Sequence, residues 1–342
     1  MPQQKRKNGE IPIFSSSGVT GTHNEAMVEA PGVITGRYGT IGEVFWAETP
    51  FWPLNTTLYV ENFHENDEKF VYYFLKTLEW KKFTSASAVP GINRNTVHKE
   101  IVRFPDFETQ QKIASVLTAI DNKITVNKEI NDNLQQQAAA LFSSLYNRSK
   151  TEVRYTDLRQ ILGGGTPKTG ETAYWNGNIA FFTPKDVGTP YTFITEKTIT
   201  EEGLSHCNSR LYPVNTVFVT ARGTVGKVGL SGVPMAMNQS CYALVGRETH
   251  QLLVYFYTLK VVDRLKHKAS GAVFDAITTR DFESEQIMKL SDDDGRAFLC
   301  VAEPMYQEIL NNSIENLRLS TLRDFLLPKL MSGEIDISNI QF

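Results

Sequence analysis

One run of residues between Phe107 and Tyr146 constrains this chain more than any other feature. Ile113, Leu117, Ile120, Ile124, Asn127, Asn131, Leu134, Ala138, Leu141 and Leu145 follow one another at alternating steps of four and three. That spacing averages 3.5 residues, the a/d seam of a helix that packs lengthwise on another helix. No glycine or proline interrupts the run, and Gln and Ala fill its second half, which suits a long helix. About 40 residues at ~1.5 Å each make a rod of roughly 60 Å, the length of a spacer. Asn127 and Asn131 lie in the middle of the seam. They are either a polar lock on the register of the partner helix or a thin, partly wet centre.

A chain of 342 residues has room for two domains and a sizeable core. No apolar run reaches the ~18 residues that a membrane span needs, and the N-terminus carries no signal-peptide h-region. Cys207, Cys241 and Cys300 are scattered and form no CxxC pair, which points away from a disulfide framework or a zinc site and towards a reducing cytoplasm. The formal charge is -3. That argues against gripping nucleic acid by bulk charge, so a DNA ligand requires local basic residues or a partner that supplies the field.

Ahead of the long helix, short β-like runs stand at Ile11–Phe14, Val33–Thr35, Val44–Ala47 and Thr57–Val60, separated by Gly, Ser, Asn and Pro. Phe70–Phe83 has the pattern of an amphipathic helix, Ser85–Asn95 of a loop and Ile101–Phe104 of a last strand, with Asp106 as N-cap of the long helix. After Tyr146 the pattern restarts. Val153–Leu162 leads into Gly163-Gly164-Gly165-Thr166-Pro167-Lys168. Strands are expected at Ile179–Thr183, Thr216–Thr220, Lys227–Leu230 and Cys241–Val245. A helix is expected at Gln251–Leu265, a loop at Ala269–Thr279, and a second long helix from about Ala297 to Leu327 with a looser seam that includes Leu317. Pro304 suits only the start of that helix, and Pro328 is expected to end or kink it.

The two halves repeat. Arg37-Tyr38-Gly39-Thr40-Ile41-Gly42 matches Arg222-Gly223-Thr224-Val225-Gly226 with Tyr38 as an extra residue. Asn55-Thr56-Thr57 matches Asn238-Gln239-Ser240, and Tyr72-Tyr73-Phe74 matches Tyr255-Phe256-Tyr257. The plan is a domain and a long helix, twice over. It sets boundaries at 1–105, 106–150, 151–290 and 291–342. The fold class is α+β: two tandem α/β domains separated by a pair of long helices packed antiparallel as a coiled coil.

This plan resembles the specificity (S) subunit of type I restriction–modification systems. Gly165-Thr166-Pro167, Tyr174-Trp175 and Thr183-Pro184-Lys185-Asp186 look like the opening of a target recognition domain, and Thr220–Lys227 with Asn238-Gln239 like its middle. Leu326–Ile335 is similar to the family's C-terminal tail, and Gln110-Gln111-Lys112-Ile113-Ala114 to the start of its first conserved helix. The first domain starts late: Ile11–Phe14 aligns with Ile179–Phe182, so the counterpart of Val153–Asn178 is largely absent and the first recognition domain is expected to be incomplete.

The resemblance implies a non-catalytic subunit that binds double-stranded DNA, reads a bipartite target, and assembles with two methylation subunits and with restriction subunits. Those partners carry S-adenosylmethionine, ATP and Mg; this chain carries no cofactor and does not enter a membrane. The rival reading is an orphan or truncated S fragment that binds methylation subunits without DNA specificity of its own.

Arg37 and Arg222 precede Gly-Thr-(Ile/Val)-Gly turns, where an arginine meets a phosphate or a guanine edge, or pairs internally. Lys168, Lys185, Arg210, Asn238 and Gln239 are DNA-contact candidates in the second half. Ser15–Ser17, His23, Asn93, Arg94 and Asn95 are candidates in the first. Pro105-Asp106 with Asp121-Asn122-Lys123 spells the PD…(D/E)xK nuclease pattern, but Asp121 and Lys123 stand on the continuous helix, far along it from Asp106. The sequence has no HExxH, no GxxxxGK[ST], no Asn-Pro-Pro-Tyr/Phe and no GxGxxG at Gly163–Gly165.

Overall fold

Ile11–Ser15 (β1) turns back through three serines into Gly18–His23 (β2), forming a hairpin whose register shifts between Pro12 and Phe14. The computed structural model in which this is seen describes residues 3–84, 90–268 and 276–338. The expected loops Ser85–Asn95 and Ala269–Thr279 lie partly outside the described residues. The chain divides into two units: Met1–Val126 with Glu315–Phe342, and Asn127–Ile314.

In the first unit, Gly32–Gly36 (β3), buried throughout, stands between Val44–Ala47 (β4) and Thr57–Tyr59 (β6). Trp52–Pro53 (β5) pairs parallel with β1. Glu68–Thr77 (α1) is capped by Asp67, whose carboxylate accepts the Phe70 N–H at 2.7 Å. The helix expected to reach Phe83 stops at Leu78, which is extended; a 3-10 turn, Trp80–Phe83, follows. The cause is Trp80, whose indole Nε1 folds back onto the Leu75 carbonyl at 2.9 Å and satisfies a helix-end acceptor. Arg94–Val97 (α2) is short. Ile101–Phe104, expected as a strand, is irregular: Ile101 is 92% exposed and no described strand pairs with it, while Phe104 packs edge-on against Phe70 and Phe74.

Phe107–Arg148 (α3) is one uninterrupted helix, begun by Asp106, whose carboxylate accepts the Thr109 N–H. Its first half belongs to the first unit, where Ile113, Ala114 and Leu117 form a core with Phe70, Tyr73, Leu330 and Ile337, and where Ile120 and Ile124 are also buried.

The second unit opens with Thr151–Arg154 (β7) and Arg159–Gly163 (β8), followed by Trp175–Phe182 (β9), Tyr191–Thr192 (β10), Lys197–Ile199 (β11) and Glu201–Ser205 (α4). Val217–Thr220 (β12), Val228–Ser231 (β13), Met235–Met237 (β14) and Cys241–Gly246 (β15) come next. Gln251–Lys268 (α5), Thr279–Glu283 (α6), Gln286–Lys289 (β16) and, as far as Ile314, Asp292–Met331 (α7) complete it. The main sheet has the order β10-β13-β12-β15-β8, the second β11-β9-β14, and β7 pairs with β16. Val254, Val261 and Val262 of α5 bury against the main sheet in a core that also holds Phe142 and Phe298.

The order β13-β12-β15 reproduces β4-β3-β6, with the register conserved: Thr35 opposite Val44 matches Val219 opposite Val228, and Gly36 opposite Thr57 matches Thr220 opposite Cys241. The architecture is α+β, two mixed sheet-and-helix domains and a pair of long antiparallel helices. Within the first unit, Arg323 donates to Asp121 at 2.8 Å, Lys123 lies 3.3 Å from Glu315, and Lys112 reaches the Ser338 carbonyl. Within the second, Asn312 donates to Asn131 at 3.0 Å, Asn131 reaches Ser313, and Arg148 pairs with Asp294. Asn127 and Asn131 are buried, Leu134, Leu141 and Leu317 half-buried, and Phe142, one residue off the seam, is 1% exposed.

The second long helix, expected over about Ala297 to Leu327, begins at Asp292, about three turns ahead of Pro304, and runs on through Pro328 to Met331. The carbonyls the two prolines leave without helical donors, on Cys300 and Asp324, belong to exposed residues, where water can satisfy them. Gly333, at φ +75°, ends the helix.

Candidate nucleic-acid interface

The repeated turn is built the same way twice. Gly36 N–H donates to Glu43 O and Thr220 N–H to Lys227 O. Arg37 and Tyr38 both donate to Thr56 O; Ala221 and Arg222 both donate to Ser240 O. Ile92 donates to Arg37 O as Ile277 does to Ala221 O. Gly39, Gly42, Gly223 and Gly226 all have φ between +75° and +88°, backbone that favours glycine.

These bonds correct the sequence alignment. Tyr38 is not an insertion: it occupies the position of Arg222, while Arg37 stands where the second half has Ala221. By the same bonds Thr56, not Thr57, corresponds to Ser240, and Leu54 to Asn238, since Thr57 donates to Leu54 O as Cys241 does to Asn238 O.

In the second unit the turn sits among loops tied to one another. Thr224 Oγ1 donates to Pro184 O at 2.8 Å. Asp186 accepts from Thr183 through backbone and hydroxyl and from the Glu196 N–H, which fixes the loop that carries Lys185. Gly165 N–H donates to Met237 O, and a Cβ on Gly164 would stand 2.2 Å from Asn238 O. The glycine run therefore serves close backbone packing. Thr166 bonds Gln239, and Ser209 accepts from the Met237 N–H. Lys168, Lys185, Arg210, Arg222 and Gln239 are exposed on these connected loops. Lys185 lies 3.4 Å from Glu196. Asn238 is half-buried, its side-chain oxygen accepting the Ser240 N–H.

In the first unit, Arg37 is half-buried, its guanidinium 4.9 Å from the Tyr38 ring, and its Nε is buried with no partner. Arg37 and Arg94 line one cavity of about 670 Å³. Asn93 is committed to capping α2, accepting the Asn95 N–H at 3.0 Å. His23 is removed from the DNA-contact candidates: it is 3% exposed, its Nδ1 accepts the Lys7 N–H, and its ring meets Trp52 edge-on. Ser15 Oγ donates to Gly18 O within the exposed serine turn.

The nuclease-like residues do not converge. Asp106 caps α3, Asp121 accepts from Tyr73 and Arg323 at 2.8 Å each, and Lys123 pairs with Glu315. Burial and the bond to Asp121 push the Tyr73 phenol above its usual range. Burial pushes the Cys241 thiol up to about 12, which leaves it an unreactive core group. Sequence reading quoted Asp186 and Thr224 only within motifs and missed their bracing role, and it missed Ser209 altogether; Thr224 and Ser209 act on segments distant in sequence. It also missed Lys227 and Lys266, which line a cavity of about 570 Å³ beside the second turn.

Residues 1–136 and 147–289 match the family model described as Type I restriction modification DNA specificity domain. The Type I restriction enzyme HindI specificity subunit of Haemophilus influenzae is 25% identical over 345 residues, covering 76% of this chain and 75% of that protein. The Type I restriction enzyme MjaIX specificity subunit of Methanocaldococcus jannaschii is 31% identical over 124 residues, 34% of this chain and 29% of that protein. The crystal structure of a Type-I restriction-modification system S subunit from M. genitalium matches with a TM-score of 0.66 at 16% identity, covering 96% of this chain and 91% of that one, a likeness of fold.

Proposed function

This chain belongs to the type I restriction modification DNA specificity family, and we propose that it is the sequence-specific DNA-binding subunit of a type I restriction–modification complex. It carries out no chemistry itself. Each unit takes one block of a bipartite target, and the paired helices set the gap between blocks. The observation that carries this reading is the duplicated turn, a shared backbone flanked by different side chains in the two units.

Exposed lysines and arginines of the second unit's loops neutralise phosphates and hold the duplex in register. Arg222, exposed on its turn, is the group suited to a bidentate contact with a guanine edge. With a formal charge of -3, the chain relies on partners for the rest of the positive field. Those partners are methylation subunits, two per complex, and restriction subunits, which bring S-adenosylmethionine, ATP and Mg. No described helix is long and apolar enough to cross a membrane, which suits a cytoplasmic complex.

The test is single-molecule methylation mapping in cells that carry this chain with its cognate methylation subunits. Two short modified blocks with a fixed gap, relaxed at one base pair by Arg222→Ala, are expected. Subunit binding with no sequence preference would instead make the chain an interaction module.

A further inference from the structure

The second glycine of the repeated turn meets different neighbours in the two units. A Cβ on Gly42 would stand 2.9 Å from the buried Trp80, whereas one on Gly226 would stand 2.5 Å from Cε of Lys266. The residue after the glycine differs in sign: exposed Glu43 in the first unit, exposed Lys227 in the second. The same backbone is thus covered by an indole and followed by an anion in one unit. In the other it is covered by a lysine stem and followed by a cation.

Lys266 stands near the end of α5 and, with Lys260 and Asp263 of that helix, lines the cavity of about 570 Å³ beside the second turn. Lys227 lines the same cavity from the turn. Its wall includes Phe142 and Phe256, whose rings are stacked 5.0 Å apart. Asp263 is the only carboxylate on that wall among the described residues, and it lies 3.6 Å from Nε2 of His267. The other ion pairs of α5 are those of Arg264 and Lys268 with Glu285. Among the described residues, no carboxylate pairs with Lys227, Lys260 or Lys266.

Three cations therefore face one carboxylate across an apolar wall. A cleft lined mainly by one sign of charge, with walls of low dielectric, focuses its field on whatever enters. In a chain of formal charge -3, this is a local concentration of positive charge. Its position relative to Arg222 suits a duplex. Five residues span at most roughly 18 Å, and the turn shortens that span: Thr220 N–H donates to Lys227 O and Gly226 N–H to Thr220 O. The major groove is about 12 Å wide. A base edge that meets Arg222 thus brings a flanking backbone to Lys227.

We propose that Lys227, Lys260 and Lys266 form the seat of one backbone phosphate of the duplex, at the edge of the groove that Arg222 enters. This rests on the reading of the second unit as a DNA-reading domain. It adds a helix, α5, to the loops that hold the DNA, and it fixes the register at which Arg222 meets its base. The first unit, with Glu43 and Trp80 at the corresponding places, has no such seat.

The test uses the chain assembled with its methylation subunits and a short duplex carrying the target defined by methylation mapping. Lys227→Gln, Lys260→Gln and Lys266→Gln are combined in one variant, and binding is titrated at several salt concentrations. The slope of log K against log salt is expected to fall by about 0.9, the share of one phosphate. Between about 50 and 200 mM salt the variant then loses roughly three- to fourfold less affinity than the parent. A series of duplexes with single neutral methylphosphonates, placed around the base pair that Arg222→Ala relaxes, locates the seat. One substitution is expected to weaken the parent severalfold and to leave the triple variant unaffected, a coupling that loss of packing alone does not produce. Lys266→Met, which keeps the stem over Gly226, repeats this cycle if the triple variant melts below the parent. An unchanged slope, a slope reduced by about 2.7, which means three separate phosphates, or no phosphate coupled to the lysines overturns the seat and leaves DNA recognition standing. A parent complex that binds no duplex overturns both. A variant that keeps the parent's salt slope but loses a methylation subunit assigns the cavity to an acidic segment of that partner and overturns the seat.

Discussion

The turns at Gly39–Gly42 and Gly223–Gly226 share a backbone and the sequence Gly-Thr-(Ile/Val)-Gly, and differ in the residues that lead into them. In the first unit the arginine is Arg37, half-buried beside Tyr38; in the second it is Arg222, one position later and exposed. The turns are closed differently as well. Thr220 Oγ1 donates to Thr224 O at 2.5 Å and accepts the Lys227 N–H, whereas its counterpart Gly36 has no room for a side chain, a Cβ there falling 2.0 Å from Thr40 O. The backbone and the turn sequence are the same in both units, while the side chains that lead into the turn have diverged.

The largest effects separate the two units rather than the two turns. Leu117→Ala strikes the core of the first unit and Phe142→Ala that of the second. Each costs about 2–5 kcal/mol, and calorimetry is expected to show each lowering the melting of its own unit by roughly 5–15 °C. Equal loss in both units from either variant would make the helix pair, not the unit, the cooperative element.

At the turns themselves, Gly36→Thr forces a side chain against backbone and is expected to cost about 1–3 kcal/mol or more. Thr220→Val leaves the part-buried Lys227 N–H without its hydroxyl acceptor and is expected to cost about 1 kcal/mol. If Gly36→Thr is neutral by denaturant unfolding, the two turns are interchangeable and the contrast drawn above fails.

The arginines are expected to differ in kind. Arg222→Ala is expected to weaken specific binding of the assembled complex by about 1–3 kcal/mol and to relax one base pair, with stability unchanged. Arg37→Ala is expected to cost less in binding. Equal or reversed losses in a competition assay would show that the half-buried arginine reads bases too. The smallest effect is that of Lys185→Ala, whose exposed pair with Glu196 contributes little. Its signature is a salt dependence of binding reduced by about one phosphate contact.

Where the sequence carried a period, its structure was legible. The 3.5-residue seam announced α3, and apolar runs separated by Gly, Ser, Asn and Pro marked β3, β4, β12 and β15. Elements held by distant partners were not legible: β5, β14 and β16 are two to four residues long and exist only through pairing with strands far away in sequence. Ile101–Phe104 had strand composition and found no edge. Pro304 and Pro328 argued for breaks, yet tertiary packing along the rest of α7 outweighed the lost bonds. Among the site candidates, exposure separated Arg222 and Lys168 from His23, a distinction no sequence pattern encodes. The register of the repeat came out one residue wrong because identical letters, Arg and Asn, outweighed the hydrogen bonds that define equivalence.

The central claim is that the paired helices act as a ruler between two reading units. The direct measurement is methylation mapping of a variant with four residues inserted into α3 after Asn127 and four into α7 after Ile314, so that both helices lengthen together. Each gains about 6 Å, slightly more than one turn, an insertion that disturbs a seam little. At ~3.4 Å per base-pair step, the account predicts the same two base blocks with the gap longer by one or two base pairs. An unchanged gap with full methylation would contradict it.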